Sequence, residues 1–233
     1  QRLISHLSAP TAEGTLYEVD MRLRPSGQKG PVAAQLSTFR EYQATEAWTW
    51  EHLALTRARV VSGPPELRAK VEEAIRATLT RPREPAVIAK DVLDMRARIA
   101  AEKGTDSIWD LKQVRGGLVD LEFIAQHLQL VHAARHPDVL DQNTLAAYRK
   151  LAAAGLIPAA DADRLIQATR LIHNLTQVLR LCLEGAFDPV TAPSGLKALL
   201  ARAGDAPDFA ALERDLRETL VSEIGRASCR ERV

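Results

Sequence analysis

Beyond Gly63, Pro64 and Pro65 the sequence offers one helical pattern after another and no convincing strand. In residues 118–134, Leu118, Leu121, Ala125 and Leu128 form a stripe that Ile124 and Val131 widen. A helix with so broad an apolar surface belongs at the centre of a bundle. Residues 161–184 carry two stripes, one through Leu165, Thr169, Ile172, Thr176, Leu179 and Leu183, the other through Leu171, Leu175, Val178 and Cys182. They too require neighbours on more than one side, which places Cys182 in the core. Shorter amphipathic patterns cover residues 66–79, 86–102, 144–154, 194–203 and 209–221, with Pro and Gly between them. Such a run closes its core helix on helix, so residues 66–222 are expected to form one all-helical bundle.

The part before Gly63 is mixed. In residues 16–23, Tyr17, Val19, Met21 and Leu23 alternate with Glu18, Asp20 and Arg22. A period of two predicts a half-buried strand with a polar face. Pro25, Gly27 and Gly30 then mark a loop that Lys29 makes positive. From Leu36 to about Val61 the pattern is helical, in two pieces, with Trp48 and Trp50 inside it.

Three groups of residues are candidates for chemistry. The first is Glu18, Asp20, Arg22 and Arg24 with Gly27, Lys29 and Gly30. A carboxylate among cations, ahead of a glycine-containing loop, suits a metal-bound phosphate. A solvated strand face with a cross-strand ion pair accounts for the same pattern, and the residues alone favour it. The second group is Glu46, Trp48, Trp50, Glu51, His52, Arg57 and Arg59. Residues two apart on a helix diverge, so the pattern reads as core tryptophans and surface arginines. The third is residues 112–123, where Gly116 and Gly117 open the apolar helix beside Lys112 and Arg115. A helix start after glycines suits an anion. Asp120 and Glu122 in the first turn equally complement the helix dipole, and the pattern does not choose. His52, His127, His132, His136 and His173 show no zinc-ligand spacing.

Charge narrows the partners. Lys and Arg number 31 against 30 Asp and Glu, which argues against general nucleic-acid binding. No apolar run approaches the roughly 20 residues of a membrane span. Two cysteines, Cys182 and Cys229, do not make a disulfide framework, and the expected compartment is the reducing cytoplasm. The last ten residues, Ile224 to Val233, lose the apolar pattern, and one choice of codons for them spells a common sequencing adapter; they are read as a scar that packs against nothing.

Three stretches together resemble a known family. LYEVDMRLRPSGQKG at 16–30, EYQATEAWTWEHLALTRARVV at 41–61 and DLKQVRGGLVDLEFIAQHLQL at 110–130 are similar, in order and spacing, to glutamine synthetase adenylyltransferases. The forms YEVDMRLRPSG and GGLVDLEF resemble the second of that family's two homologous halves. The resemblance is strongest over 16–131.

The resemblance implies an α+β, mostly α chain: the remnant of a polymerase-β-type nucleotidyltransferase domain over residues 1–63, then an all-helical bundle over 64–223, with 224–233 as the scar. It implies transfer of AMP from ATP to a tyrosine of glutamine synthetase, with Mg²⁺ as cofactor. Asp20 matches the third metal carboxylate of the superfamily, and the Gly-Ser then Asp-x-Asp motif that would carry the other two is expected to lie before the first residue of this sequence. A single carboxylate does not hold two ions, so the chain alone is expected to be inactive. Arg22, Arg24 and Lys29 are expected near the phosphates, with Lys112, Gly116 and Gly117 closing from the bundle. The implied partners are glutamine synthetase and a PII-type signalling protein, with neither nucleic acid nor membrane. The adenylyl-removing half of the same enzyme, and a non-catalytic helical docking module, are the alternatives.

Overall fold

A computed structural model describes residues 2–15, 19–21 and 23–229, with side chains for all of these except Leu3, Gln28 and residues 222–229. The first described helix, α1 (Arg2–Ser8), was not foreseen. The segment expected to be helical from Leu36 to Val61 divides into α2 (Leu36–Thr45) and α3 (Thr49–Leu55), and ends six residues early. Two long helices follow, α4 (Pro65–Leu79) and α5 (Pro85–Lys103). Each begins on a proline, whose missing N–H costs nothing at that position. The rest are α6 (Leu118–His132), α7 (Thr144–Ala153), α8 (Ala159–Cys182), α9 (Ser194–Ala203) and α10 (Phe209–Cys229). Asn143 caps α7 by accepting the Ala146 N–H at 3.1 Å, and Asp208 accepts the Ala211 N–H at 2.7 Å at the start of α10.

The expected strand is not formed among the described residues. Residues 19–21 adopt no regular structure, and the only β feature described is an isolated bridge between Thr11 and Gly14. Alternation gives a segment two faces, but a strand also needs a neighbour to pair its N–H and C=O groups. No described segment offers one. The chain is therefore mostly helical, with no strand among the described residues.

Helix α6 packs on α5, α7 and α8, while α8 packs on α7, α9 and α10. Their shared core includes Leu121, Ala125, Tyr148, Leu151, Ile172, Leu175, Leu212 and Leu216. Thr169 and Thr176 fit the α8 stripe because each hydroxyl donates to the carbonyl one turn back, at 2.7 Å. Tyr148 resolves its own polar atom by donating to the Leu121 carbonyl at 2.6 Å. Three aromatics from distant segments close one end: Trp109 stacks on Phe209 at 5.3 Å and meets Phe187 edge-on at 4.6 Å.

A second, smaller core lies on the other side of α6. Leu53 of α3, Leu79 of α4 and Leu130 of α6 are buried together, with Ile75, Val92 and Leu140 against them. Helix α3 packs on α4, α5 and α6. Gly63 thus interrupts the helices without interrupting the packing, and the helices of residues 66–222 share two cores instead of one.

One residue of α8 placed in the core by pattern is on the surface. Cys182, the last residue of α8, is exposed, as is Leu181 beside it. A stripe is buried only as far as its covering helices reach, and here they stop short of the last turn. At the other end of the chain, α10 continues to Cys229, so Ile224–Cys229 stay helical where the lost pattern suggested a break. Those residues are tolerable helix formers, and an absent stripe removes packing rather than helicity. Their side chains and residues 230–233, and with them the expectation that the tail packs against nothing, lie outside the described residues.

Candidate functional site

Asp20 is exposed in an irregular segment, and Glu18 and Arg22 lie outside the described residues. The segment is held by its own backbone. Arg24 Nη1 donates to the Met21 carbonyl, Gly27 N–H to the Arg24 carbonyl at 2.8 Å, and residues Gly27–Lys29 close one turn of 3₁₀ helix. Lys29 is exposed at its end. The Tyr42 hydroxyl of α2 donates to Glu51 Oε1 of α3 at 2.8 Å. Burial, then the Glu51 carboxylate, pushes the Tyr42 hydroxyl above its ordinary pKa.

Glu51 serves a second bond: its Oε2 accepts the Trp48 N–H at 2.9 Å and caps α3. That fixes the Trp48 backbone while leaving its ring 71% exposed, and Trp50 is 38% exposed. Both tryptophans were expected in the core. Thr49 between them donates to Asp91 of α5, so it is the polar residue of this turn that faces a neighbouring helix. Arg57 is on the surface, as expected, and pairs with Glu122 of α6. His52 is half-buried, and its Nε2 meets the Gln43 carbonyl at 3.2 Å. Burial and then the Arg83 charge hold its pKa below the usual imidazole range.

The turn before α6 is the most constrained part of the molecule. Asp120, in the first turn of α6, accepts the Gly116 N–H at 2.6 Å and the Nε of Arg96. Arg96, whose side chain is 5% exposed, also donates Nη2 to the Gln113 carbonyl at 2.9 Å, while Arg115 stands 3.7 Å from the same carboxylate. Gly116 has φ +78°, and a Cβ there would lie 2.3 Å from the Leu220 carbonyl oxygen of α10. A Cβ on Gly117 would lie 2.6 Å from the Leu111 carbonyl oxygen. Glycine is required at both positions because backbone passes where a side chain would be.

The amides of this helix start are engaged within the chain. Gly117 donates to Val114 at 2.9 Å, Leu118 to Leu111 at 2.9 Å and Val119 to Lys112 at 3.3 Å. Asp120 is thus an internal counter-charge and cap, which sequence spacing alone left undecided. Lys112 and Arg115 remain exposed on a rigid turn. Neither Lys112 nor the two glycines makes a hydrogen bond or ion pair to the Asp20 loop among the described residues. Arg96 escaped sequence reasoning because its partner is 24 residues away; an Asp four residues after a Gly-Gly helix start was the available signal.

Mg²⁺ is the cofactor the resemblance implies. Among the described residues no group of three His, Cys, Asp or Glu side chains is placed to hold a metal ion. Asp20 offers one carboxylate, so the described side chains do not fit a two-ion site. No described helix is long and apolar enough to cross a membrane.

Comparison with known proteins divides the chain between two family models. The model described as glutamate-ammonia ligase adenylyltransferase matches residues 1–74, and the model described as PII-uridylyltransferase matches residues 90–223. The curated relatives it matches include bifunctional glutamine synthetase adenylyltransferase/adenylyl-removing enzymes along nearly its whole length. The protein of that name from Rhodopseudomonas palustris (strain TIE-1) is 58% identical over 94% of this chain and 22% of its own length. The one from Bradyrhizobium sp. (strain BTAi1 / ATCC BAA-1182) is 56% identical over 97% of this chain and 23% of its own. The one from Xanthobacter autotrophicus (strain ATCC BAA-1158 / Py2) is 52% identical over 94% of this chain and 22% of its own. The chain thus spans less than a quarter of the length of these relatives. With this identity carried through both matched segments, the chain belongs to the glutamine synthetase adenylyltransferase family.

Proposed function

We propose that the chain is part of a nucleotidyltransferase that moves AMP from ATP to a tyrosine of glutamine synthetase in the bacterial cytoplasm. The observation that carries this reading is the 52–58% identity to enzymes of that name over 94–97% of the chain. In the reaction the tyrosine oxygen bonds to the α-phosphorus of ATP, the bond to the β-phosphate oxygen breaks and pyrophosphate leaves. Mg²⁺ would supply charge neutralisation at the phosphates, with Asp20 as one of its ligands and the others from outside this chain. Arg22, Arg24 and Lys29 neutralise phosphate oxygens from the loop beside Asp20, where fixed charge matters most as negative charge shifts to the leaving group. Lys112 adds charge from the bundle, and Gly116 and Gly117 set the turn that carries it. With Asp20 the one carboxylate assigned to the metal site, residues 1–233 by themselves are not expected to transfer AMP. A PII-type protein is the proposed regulator. The polymerase-β-type origin of residues 1–63 and the bundle over 64–223 belong to the same proposal.

A second reading is that the chain comes from the adenylyl-removing half, where phosphate attacks the adenylyl-tyrosine bond. The relatives' names, which carry both activities, favour keeping it. The test is Asp20→Asn in the longer enzyme, measuring AMP incorporation into glutamine synthetase and phosphate-dependent AMP release separately, with circular dichroism for folding. Incorporation should fall a thousandfold or more, as expected when several kcal/mol of transition-state stabilisation is removed. A folded variant keeping a tenth of its incorporation overturns the role of Asp20. Loss of release with incorporation intact assigns the chain to the removing half.

A further inference from the structure

Most arginines tied to another element of the front half face a carboxylate. Arg40 meets Glu73, Arg57 meets Glu122, Arg76 meets Asp138 and Arg96 meets Asp120. Arg81 and Arg83 are exceptions. Both are half-buried in the short link between α4 and α5, and both donate only to carbonyls. Arg83 wraps the C-terminus of α4 through the Thr78 and Leu79 carbonyls at 2.8 and 3.0 Å, where the helix dipole partly offsets its charge. Arg81 has no such offset. Its Nη1 shares the Gln43 carbonyl with His52, at 3.0 and 3.2 Å. Those two side chains therefore lie within about 6 Å of one another at ordinary hydrogen-bond lengths.

The carboxylate that acts on His52 is its neighbour Glu51, and both Glu51 oxygens are occupied by Tyr42 and Trp48. Arg81 Nε and Nη2 and His52 Nδ1 make no hydrogen bond among the described residues. Gln43, whose carbonyl joins the two, also carries a buried side-chain oxygen with no partner. Repulsion leaves its mark on the group: burial and Arg81 lower the Arg83 pKa, and burial and Arg83 lower that of His52. Three basic groups with unspent donors and no carboxylate between them are an environment that a bound oxyanion would stabilise.

We propose that Arg81 and His52, backed by Arg83, form an oxyanion site at the junction of α2, α3 and the α4–α5 link, suited to a phosphate dianion. The unpartnered Gln43 amide oxygen would accept the hydroxyl of a protonated phosphate. None of its residues is among those assigned above to the nucleotidyl-transfer chemistry at Asp20.

The experiment uses the 233-residue chain and inorganic phosphate, titrated against chloride at constant ionic strength. His52 ring resonances report the site. A saturable shift with phosphate is expected, weakened about tenfold or more in Arg81→Gln, the scale of one charge-assisted contact. Asp20→Asn should leave it unchanged, which separates this outcome from the fate of the transfer activity. If Arg81→Gln does not fold, Arg81→Lys keeps the charge but not the fork and should still weaken binding severalfold. Displacement of phosphate by ATP would assign the anion to a nucleotide phosphoryl group, and failure of ATP to compete would assign it to free phosphate. A response equal to chloride's, or an affinity unaltered in a folded Arg81 variant, overturns the proposal.

Discussion

Tyr148, Ile172, Leu175, Leu212 and Leu216 are wholly buried in the bundle of α6 to α10, whereas among the described side chains of residues 2–63 Leu53 is the one buried apolar residue. The two regions hold together by different means. The bundle interdigitates apolar side chains from five helices. The front region is tied mainly by polar links: Tyr42 to Glu51, Thr49 to Asp91, His52 and Arg81 to the Gln43 carbonyl, and Arg57 to Glu122. Its small apolar core borrows Leu130 from α6. A region that borrows a wall is expected to open locally at a free energy below that of the whole molecule.

The sharpest way to break the comparison is at the turn both regions use. Asp120→Ala leaves Arg96 buried without its counter-charge and frees the Gly116 amide. It should destabilise the protein by about 3–5 kcal/mol, read from denaturant midpoints. A loss below about 1 kcal/mol would mean the clamp is ornamental. Next come two cavities of the same chemistry. Leu212→Ala and Leu53→Ala should each cost about 2–5 kcal/mol. Leu212→Ala should lower protection of bundle amides in hydrogen exchange, while Leu53→Ala should expose amides of α3 and α4 and spare α8. Uniform loss in both variants would show one cooperative unit and erase the distinction.

The smallest effect is acid sensitivity confined to the front. His52 is held below the usual imidazole range by burial, then by Arg83, with Arg81 in the same direction and the Gln43 carbonyl and Glu51 opposing. The unfolded chain therefore binds a proton that the folded one resists. Stability should fall as pH drops through the ordinary imidazole range and level off below the depressed folded value. His52→Gln should flatten that part of the stability profile. An unchanged profile would assign the acid loss to other groups.

Helix identity was readable from the sequence because apolar spacing survives in every long element, and α6 was central as its broad stripe required. What the pattern could not carry was the extent of cover. Cys182 sits on a plausible stripe and Trp48 reads as core, but burial depends on a neighbour reaching them, and spacing says nothing about where a neighbour ends. Alternation around Asp20 likewise described two faces without supplying a partner strand. The Arg96–Asp120 clamp and the Trp109, Phe187 and Phe209 cluster were invisible for a related reason: their members come from distant segments. The Gly116–Gly117 step has a packing role that its spacing did not carry. Its glycines answer to the backbone of Leu220 and Leu111, and its amides to Asp120, Val114 and neighbouring carbonyls.

The position of α6 between two cores also bears on how the chain is made. A ribosome releases α3 and α4 well before residues 118–132, and at about 5–20 residues per second Leu130 follows Leu79 by roughly three to ten seconds. During that interval Leu53, Ile75 and Leu79 have one another but no third wall, so these helices, though they emerge before α6, cannot settle before it. The order of birth and the order of folding run in opposite directions, and the nascent front is the segment that a holding chaperone would find.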